Sequence, residues 1–224
     1  MNIRPLKIFL SKYPRVRVFQ RRLRACMRAV PVAGRWFAAF EKSIIAPHAS
    51  ERYRADDPAD AHEYFNSYAK WIVSQVPGGN ILDIGCGYGF LTVAIAELPK
   101  ARSVTGIDKI TTEEFLFRDV AKISYLQADI SRMDTLPGLF DAIVSTEFIE
   151  HISLEACDRL FGLVARGLRP GGVFLGSTPL GLSVSPYHEH EFTGKSLRET
   201  LQRHFADVYV EALSTDCLVW RAGS

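Results

Sequence analysis

The stretch Ile81-Leu82-Asp83-Ile84-Gly85-Cys86-Gly87-Tyr88-Gly89-Phe90 decides how this chain is read. Ile81–Ile84 is a short apolar strand, and three glycines follow within five positions. Glycine admits positive φ and lets backbone approach a ligand without a Cβ clash. The helix expected next, Leu91–Leu98, presents free backbone N–H groups at the same point. The spacing is G-x-G-x-G, not the G-x-G-x-x-G of a dinucleotide fingerprint. Asp83 argues the same way. A carboxylate there repels a pyrophosphate and attracts a ligand that carries an ammonium group and a sulfonium.

Outward from this stretch the pattern alternates. Upstream, Pro77-Gly78-Gly79 forms a turn. Before it, Tyr64, Tyr68, Trp71 and Ile72 keep helical spacing behind a helix start at Asp57-Pro58. Downstream, strands are predicted at Val104–Ile107, Ile123–Gln127, Ala142–Ser145, Val173–Leu175, Val208–Val210 and Leu218–Trp220. Ser153 caps a helix with Cys157, Leu160, Phe161, Val164 and Leu168 on one face, stopped by Gly171-Gly172, and Ser196–Phe205 is a further helix. Strands alternating with helices predict an α/β fold: a doubly wound, seven-stranded, mostly parallel sheet with helices on both faces. Ligands of such sheets sit beyond the carboxyl ends of the strands.

Two more acids fall at those ends. Asp108 closes the second strand, 19 residues after Gly89, where it can accept both hydroxyls of a ribose. Asp129 follows the third strand, where it can accept from an adenine amino group while Ile130 packs on the ring. Singly, each acid reads as a cap or a turn residue; together they outline a nucleoside-like pocket.

The stretches ILDIGCGYGFLT, VTGID, YLQADI, FDAIVSTEFIEHI and LRPGGVFLGSTP cover roughly residues 80–180. In that order they resemble the class I S-adenosylmethionine-dependent methyltransferase superfamily. The resemblance implies a Rossmann-like fold with S-adenosylmethionine as co-substrate. It also implies that Asp83, Gly85 and Gly87 cradle the methionine part, Asp108 the ribose and Asp129-Ile130 the adenine, with Thr146 near the methyl end. Cys86 reads as a small residue packed under the ligand rather than as a nucleophile. A dinucleotide enzyme with an irregular turn, and a non-catalytic scaffold that kept the donor pocket, remain the readings from other classes.

Two segments supply groups for an acceptor. Glu147-Phe148-Ile149-Glu150-His151 follows the fourth strand; as the start of a helix it would put Glu147, Glu150 and His151 on one face. Pro186-Tyr187-His188-Glu189-His190-Glu191-Phe192-Thr193 follows the fifth. Glu147, Glu150, His151 and His188 together could hold a divalent cation, which lowers the pKa of a bound hydroxyl. Glu150, His151 and His188 could equally serve as acid–base groups, or merely order the loops. The E-x-x-E-H run resembles ubiquinone-pathway O-methyltransferases and small-RNA 3′-end methyltransferases, and this resemblance implies a metal-dependent site. STP…SPYHEHEFT is more similar to bacterial methyltransferases of glycan and lipopolysaccharide gene clusters, from which it departs at Leu180 and Ser185. His188 matches the glycan pattern and His190 the RNA pattern. The expected acceptor is an oxygen of a small molecule or of a lipid- or nucleotide-linked sugar, with an RNA 3′ end as the alternative.

Charge divides the chain. Residues 1–50 hold 11 Lys and Arg against one acid, Glu41, for a net +10, while the remainder carries −8. This sets a basic helical extension, 1–55, before a catalytic domain, 56–224. Arg17, Arg21, Arg24 and Arg28 form one stripe at helical pitch, opposite Phe19, Leu23, Cys26, Met27 and Val30. The stripe is read as a solvated face, as a contact with an anionic membrane surface, or as a contact with nucleic-acid phosphates. The last is least supported, because no aromatic residues interleave with the basic ones. The four cysteines, Cys26, Cys86, Cys157 and Cys217, show no paired spacing, and no apolar run approaches the ~20 residues of a membrane span. The expected setting is cytoplasmic, with peripheral contact at the inner membrane face.

Overall fold

The computed structural model describes residues 68–112, 114–180 and 188–223. The basic extension with its arginine stripe and the Asp57-Pro58 helix start lie outside the described residues. Ser67–Ser224 forms one compact unit.

Seven strands make one sheet: β1 (Gly79–Ile84), β2 (Ala101–Asp108), β3 (Ile123–Gln127), β4 (Phe140–Thr146), β5 (Leu168–Pro179), β6 (Asp207–Ala212) and β7 (Cys217–Gly223). Their order is β3-β2-β1-β4-β5-β7-β6. β1 to β5 pair in parallel, and β7 runs antiparallel between β5 and β6. The strand order reverses between β1 and β4, so the topological switch point opens at their carboxyl ends.

A helix over residues 68–75 precedes β1. Three more follow: α1 (Phe90–Ala96), α2 (Leu154–Gly167) and α3 (Gly194–Leu201). α1 packs against β2 and buries Leu91, Val93 and Ile95. On the other face, Leu160, Phe161 and Val164 of α2 and Leu197 and Leu201 of α3 close a core with Ile143, Phe174 and Trp220. Phe174 is its hinge pin: its ring meets Phe161 at 5.7 Å and Trp220 edge-on at 5.5 Å between centroids. Ser153 caps α2 as expected, its Oγ accepting from the Ala156 N–H at 3.2 Å.

The strands run longer than the sequence reading at several ends, and each of the three helices differs from it in its bounds. α2 ends at Gly167, not at Gly171-Gly172. Those two glycines lie inside β5, in the irregular step between Leu168, opposite Phe140, and Val173, opposite Ala142; Gly171 stands at φ +76°. α3 starts two residues early because Thr193 and Ser196 form a reciprocal capping box, and it stops at Leu201. α1 is shorter by two residues at its end.

Gly176 marks the tightest rung. It pairs with Ser145 on one side and Trp220 on the other, and a Cβ there would overlap the Trp220 ring and the Ser145 carbonyl. Gly176→Ala should therefore destabilise the domain by about 3 kcal/mol or more, read as a lowered denaturant midpoint. A midpoint indistinguishable from the parent would contradict this packing.

Candidate active site

β1 delivers the glycine bend to the switch point. Gly85, Gly87 and Gly89 stand at φ +70°, +51° and +91°, so the backbone path itself favours glycine. The bend is fastened to the end of β2. The N–H groups of Gly85 and Cys86 donate to the Ile107 carbonyl at 2.8 and 3.2 Å, and Gly87 N–H donates to Asp108 Oδ2 at 2.8 Å. Asp108 Oδ1 accepts from Ile110 N–H at 3.1 Å. An ionised carboxylate has about four acceptor positions, so Asp108 retains capacity for ribose hydroxyls.

The other predicted donor residues lie less openly. Asp83 is only 1% exposed, and Thr92 Oγ1 donates to its Oδ2 at 2.6 Å. Burial, eased by the Thr92 bond and reinforced by the Asp108 charge, pushes the carboxyl up to about 7. Asp83 thus supports the bend from beneath. Burial, with the Asp83 and Asp108 charges, likewise drives the Cys86 thiol far up, leaving it neutral and inert. Its Sγ fills the space over Gly106, where a Cβ would lie 2.8 Å away.

Asp129 caps its own short turn, Ile130–Arg132. It accepts from Ser131 N–H and Oγ at 3.1 and 2.6 Å and pairs with Arg132 at 3.4 Å. The Ser131 bond holds its carboxyl below the usual carboxylate value. Ile130 is buried at the edge of the core cluster. Thr146 ends β4, half-buried.

The chain does not begin a helix after β4. Glu147 stands at φ +50°, and Ile149–His151 is a single 3₁₀ turn. Ser177 Oγ donates to Glu147 Oε1 at 2.8 Å, and Thr178 Oγ1 donates to Glu150 Oε2 at 3.0 Å. Successive strand residues project to opposite faces. Neighbouring hydroxyls on β5 thus take one glutamate each, while the two acids stay close enough for the Glu147 charge to act on Glu150. The shared face expected for Glu147, Glu150 and His151 is not formed, because the left-handed step at Glu147 redirects the chain.

Glu150, His151 and His188 do meet, with one ligand atom of each lying within 4.8 Å of the others. Glu150 Oε1 is 3.7 Å from His151 Nε2, and the His151 and His188 rings stand edge-to-face at 4.8 Å. A backbone bond brings them together: Glu189 N–H donates to the Glu150 carbonyl at 2.8 Å. Burial, then the Glu147 charge, pushes the Glu150 carboxyl well up. Burial, then the nearby His151, lowers the pKa of His188. Glu150 Oε1 and His188 Nδ1 are buried without a hydrogen-bond partner. His190 turns away; its Nε2 lies 3.9 Å from Cys157 Sγ and its ring stands edge-on to Phe192. Three hydroxyls hold the acids, those of Thr92, Ser177 and Thr178. They lie at the ends of the stretches ILDIGCGYGFLT and LRPGGVFLGSTP, but nothing local in those stretches says which acid each will bind.

Residues 81–172 match a family model described as a methyltransferase domain. A solved DhpI complex with S-adenosylhomocysteine shares the fold at TM-score 0.62, over 81% of this chain and 97% of that one, at 18% identity. Residues 81–172 are thus a methyltransferase domain. A probable S-adenosylmethionine-dependent methyltransferase of Mycolicibacterium smegmatis (strain ATCC 700084 / mc(2)155) is 31% identical over 149 residues, 58% of this chain and 53% of that protein. The methyltransferase fold is shared with the N-methyltransferase NodS of Bradyrhizobium japonicum WM9, at TM-score 0.58 and 20% identity over 76% of this chain and 100% of that one. The ubiquinone biosynthesis O-methyltransferase of Pseudomonas aeruginosa (strain LESB58) is 35% identical over 120 residues, 47% of either chain. The cyclopropane-fatty-acyl-phospholipid synthase of Escherichia coli (strain K12) is 33% identical over 117 residues, 50% of this chain and 30% of that enzyme. The chain spans about half the length of the curated relatives it matches. Among the described residues no helix is long and apolar enough to cross a membrane.

The buried acid under the bend makes a testable demand. Asp83 binds its proton more tightly folded than unfolded, so the ligand-free domain loses stability as pH rises from about 4 to about 7. Asp83→Asn removes that slope and stabilises the ligand-free methyltransferase at pH 8 by ~2–4 kcal/mol. Urea unfolding of both proteins at pH 5 and pH 8 measures this; equal slopes would refute it.

Proposed function

We propose that this methyltransferase moves a methyl group from S-adenosylmethionine to an oxygen of a small-molecule or lipid- or nucleotide-linked sugar acceptor. Glu150, His151 and His188 face that acceptor. The supporting observation is their meeting at the carboxyl ends of β4 and β5, beside the donor bend. Phe148, between the two glutamates, packs directly on that bend, since a Cβ on Gly85 would overlap its ring. The oxygen is supported by the likeness to the ubiquinone-pathway enzyme, and the sugar by the SPYHEHEFT segment.

Methyl transfer is an in-line displacement, and holding donor and acceptor at attack distance supplies much of its acceleration. A hydroxyl acceptor must also lose its proton. Burial lowers the pKa of His188, which favours the neutral imidazole a base requires, and raises that of Glu150, which favours its uncharged form. The arginine stripe of the extension would bring the domain to a lipid-linked acceptor on an anionic surface.

A second reading has its own observation. Glu150 Oε1 and His188 Nδ1 are buried and unpartnered, a state that ligation relieves. Glu150, His151 and His188 would hold a divalent cation, whose chemistry is to lower the pKa of a bound hydroxyl.

His151→Ala and His188→Ala should each lower methyl transfer to a hydroxylated acceptor panel about 100-fold. Calorimetric affinity for S-adenosylhomocysteine should stay within about twofold of the parent, since neither imidazole belongs to the donor bend. Activity lost in excess chelator and restored by a divalent cation selects the second reading; full activity in chelator selects the first. Parental activity in both variants overturns both.

A further inference from the structure

We infer that the free edge of β3 is an interface with a second copy of this chain: two β3 strands pair antiparallel across a two-fold axis and join the two sheets into one. The inference stands apart from the donor pocket and the acceptor.

The two edges of the sheet are finished differently. β6 forms one and β3 the other. β6 carries the charges of Asp207 and Glu211, and Arg198 Nη2 donates to its Val210 carbonyl at 2.9 Å. Charges and caps of this kind keep an edge from pairing with another chain. β3 reads Ile-Ser-Tyr-Leu-Gln, with no charged residue and no proline. Ser124, Leu126 and Gln127 are exposed, and among the described residues no strand lies on its outer side.

The backbone fixes which groups face outward. Val104 N–H donates to the Lys122 carbonyl and Ala128 N–H to the Asp108 carbonyl, both at 2.8 Å. Even-numbered residues along β3 therefore turn their backbone groups to β2. The N–H and C=O of Ile123, Tyr125 and Gln127 point the other way.

A second β3 answers all of them in one register. With Tyr125 opposite Tyr125 at the axis, Ile123 of one protomer faces Gln127 of its partner, and the reverse. Each such pair exchanges both of its hydrogen bonds. A slip by two residues leaves Ile123 or Gln127 with no strand residue opposite.

Charge fits the same register. Lys122 of one protomer lies opposite Ala128 of its partner, beside Asp129. Both charged residues are exposed, and the Ser131 bond holds the Asp129 carboxyl below its usual value, in the ionised form. Lys122 Nζ reaches the Leu98 carbonyl at 3.4 Å and keeps further donors free. The two-fold axis makes this approach of opposite charges twice.

Apolar surface fits as well. Parallel strands are ordinarily covered on both faces. Between β3 and β4 the chain forms only the turn Ile130–Arg132, so among the described residues no helix covers Ser124 and Leu126. Leu126 and Leu139 line this open face and are 36% and 53% exposed. In the paired sheet the two Leu126 side chains meet on the diagonal, about 7–8 Å apart.

Sedimentation equilibrium of the full chain measures this. One short strand pair is a small interface, so the parent should dimerise with a dissociation constant of about 1–100 μM. Gln127→Pro removes an outward N–H and no bond to β2. Leu126→Lys sets two ammonium groups on the diagonal. Each should weaken association about tenfold or more, with a denaturant midpoint in dilute solution close to the parent's. A chain carrying both Ser124→Cys and Leu126→Cys should form covalent dimers on mild oxidation. Peptide mass spectrometry should find position 124 of one protomer linked to position 126 of its partner, since opposed residues of such a pair lie within disulfide reach. A parent that stays monomeric at about 500 μM overturns the inference. So does a dimer that neither variant weakens, or one in which oxidation links only other positions, since either puts the interface on another face.

Discussion

One carboxylate fastens the donor end of this domain. Asp108 accepts from Gly87 on the glycine bend and from Ile110 on the loop after β2, while the Ile107 carbonyl takes the N–H groups of Gly85 and Cys86. Near the end of a sheet, backbone donors have no next strand to satisfy them. Without these acceptors the three left-handed glycines would have no reason to stay in one path. With them, the bend sits at a fixed distance from the turn after β4, and Phe148 can close on Gly85.

The acceptor end depends on a different device. Two neighbouring hydroxyls at the end of β5 take one glutamate each, Ser177 holding Glu147 and Thr178 holding Glu150. Burial tunes both ends: it raises the carboxyls of Asp83 and Glu150 and lowers the pKa of His188. Such groups cost stability in an apolar surrounding, and their clustering at the strand ends marks where function resides.

The relatives fit this division. They bear names as different as ubiquinone biosynthesis and phospholipid cyclopropanation, yet each matches about half of this chain. A shared scaffold that keeps the donor and varies the acceptor is the pattern expected when function is grafted on strand-end loops.

Sequence alone determined the seven strands, the doubly wound layout, the Ser153 cap and the need for glycine at the bend. These are written in periods of two and 3.6 and in turn chemistry, all local. It also placed Asp108 and brought His151 and His188 into one candidate set. Tertiary structure alone decided that Asp83 is buried under Thr92, that Asp129 caps its own turn, and that Ile130 belongs to the core. It also decided that Ser177 holds Glu147 and Thr178 holds Glu150, and that His188 joins the cluster while His190 lies against Cys157. Most of these outcomes hang on partners far away in the chain, such as Ser177 for Glu147 and the Glu189 N–H for the Glu150 carbonyl, and no local periodicity encodes which distant atom will answer.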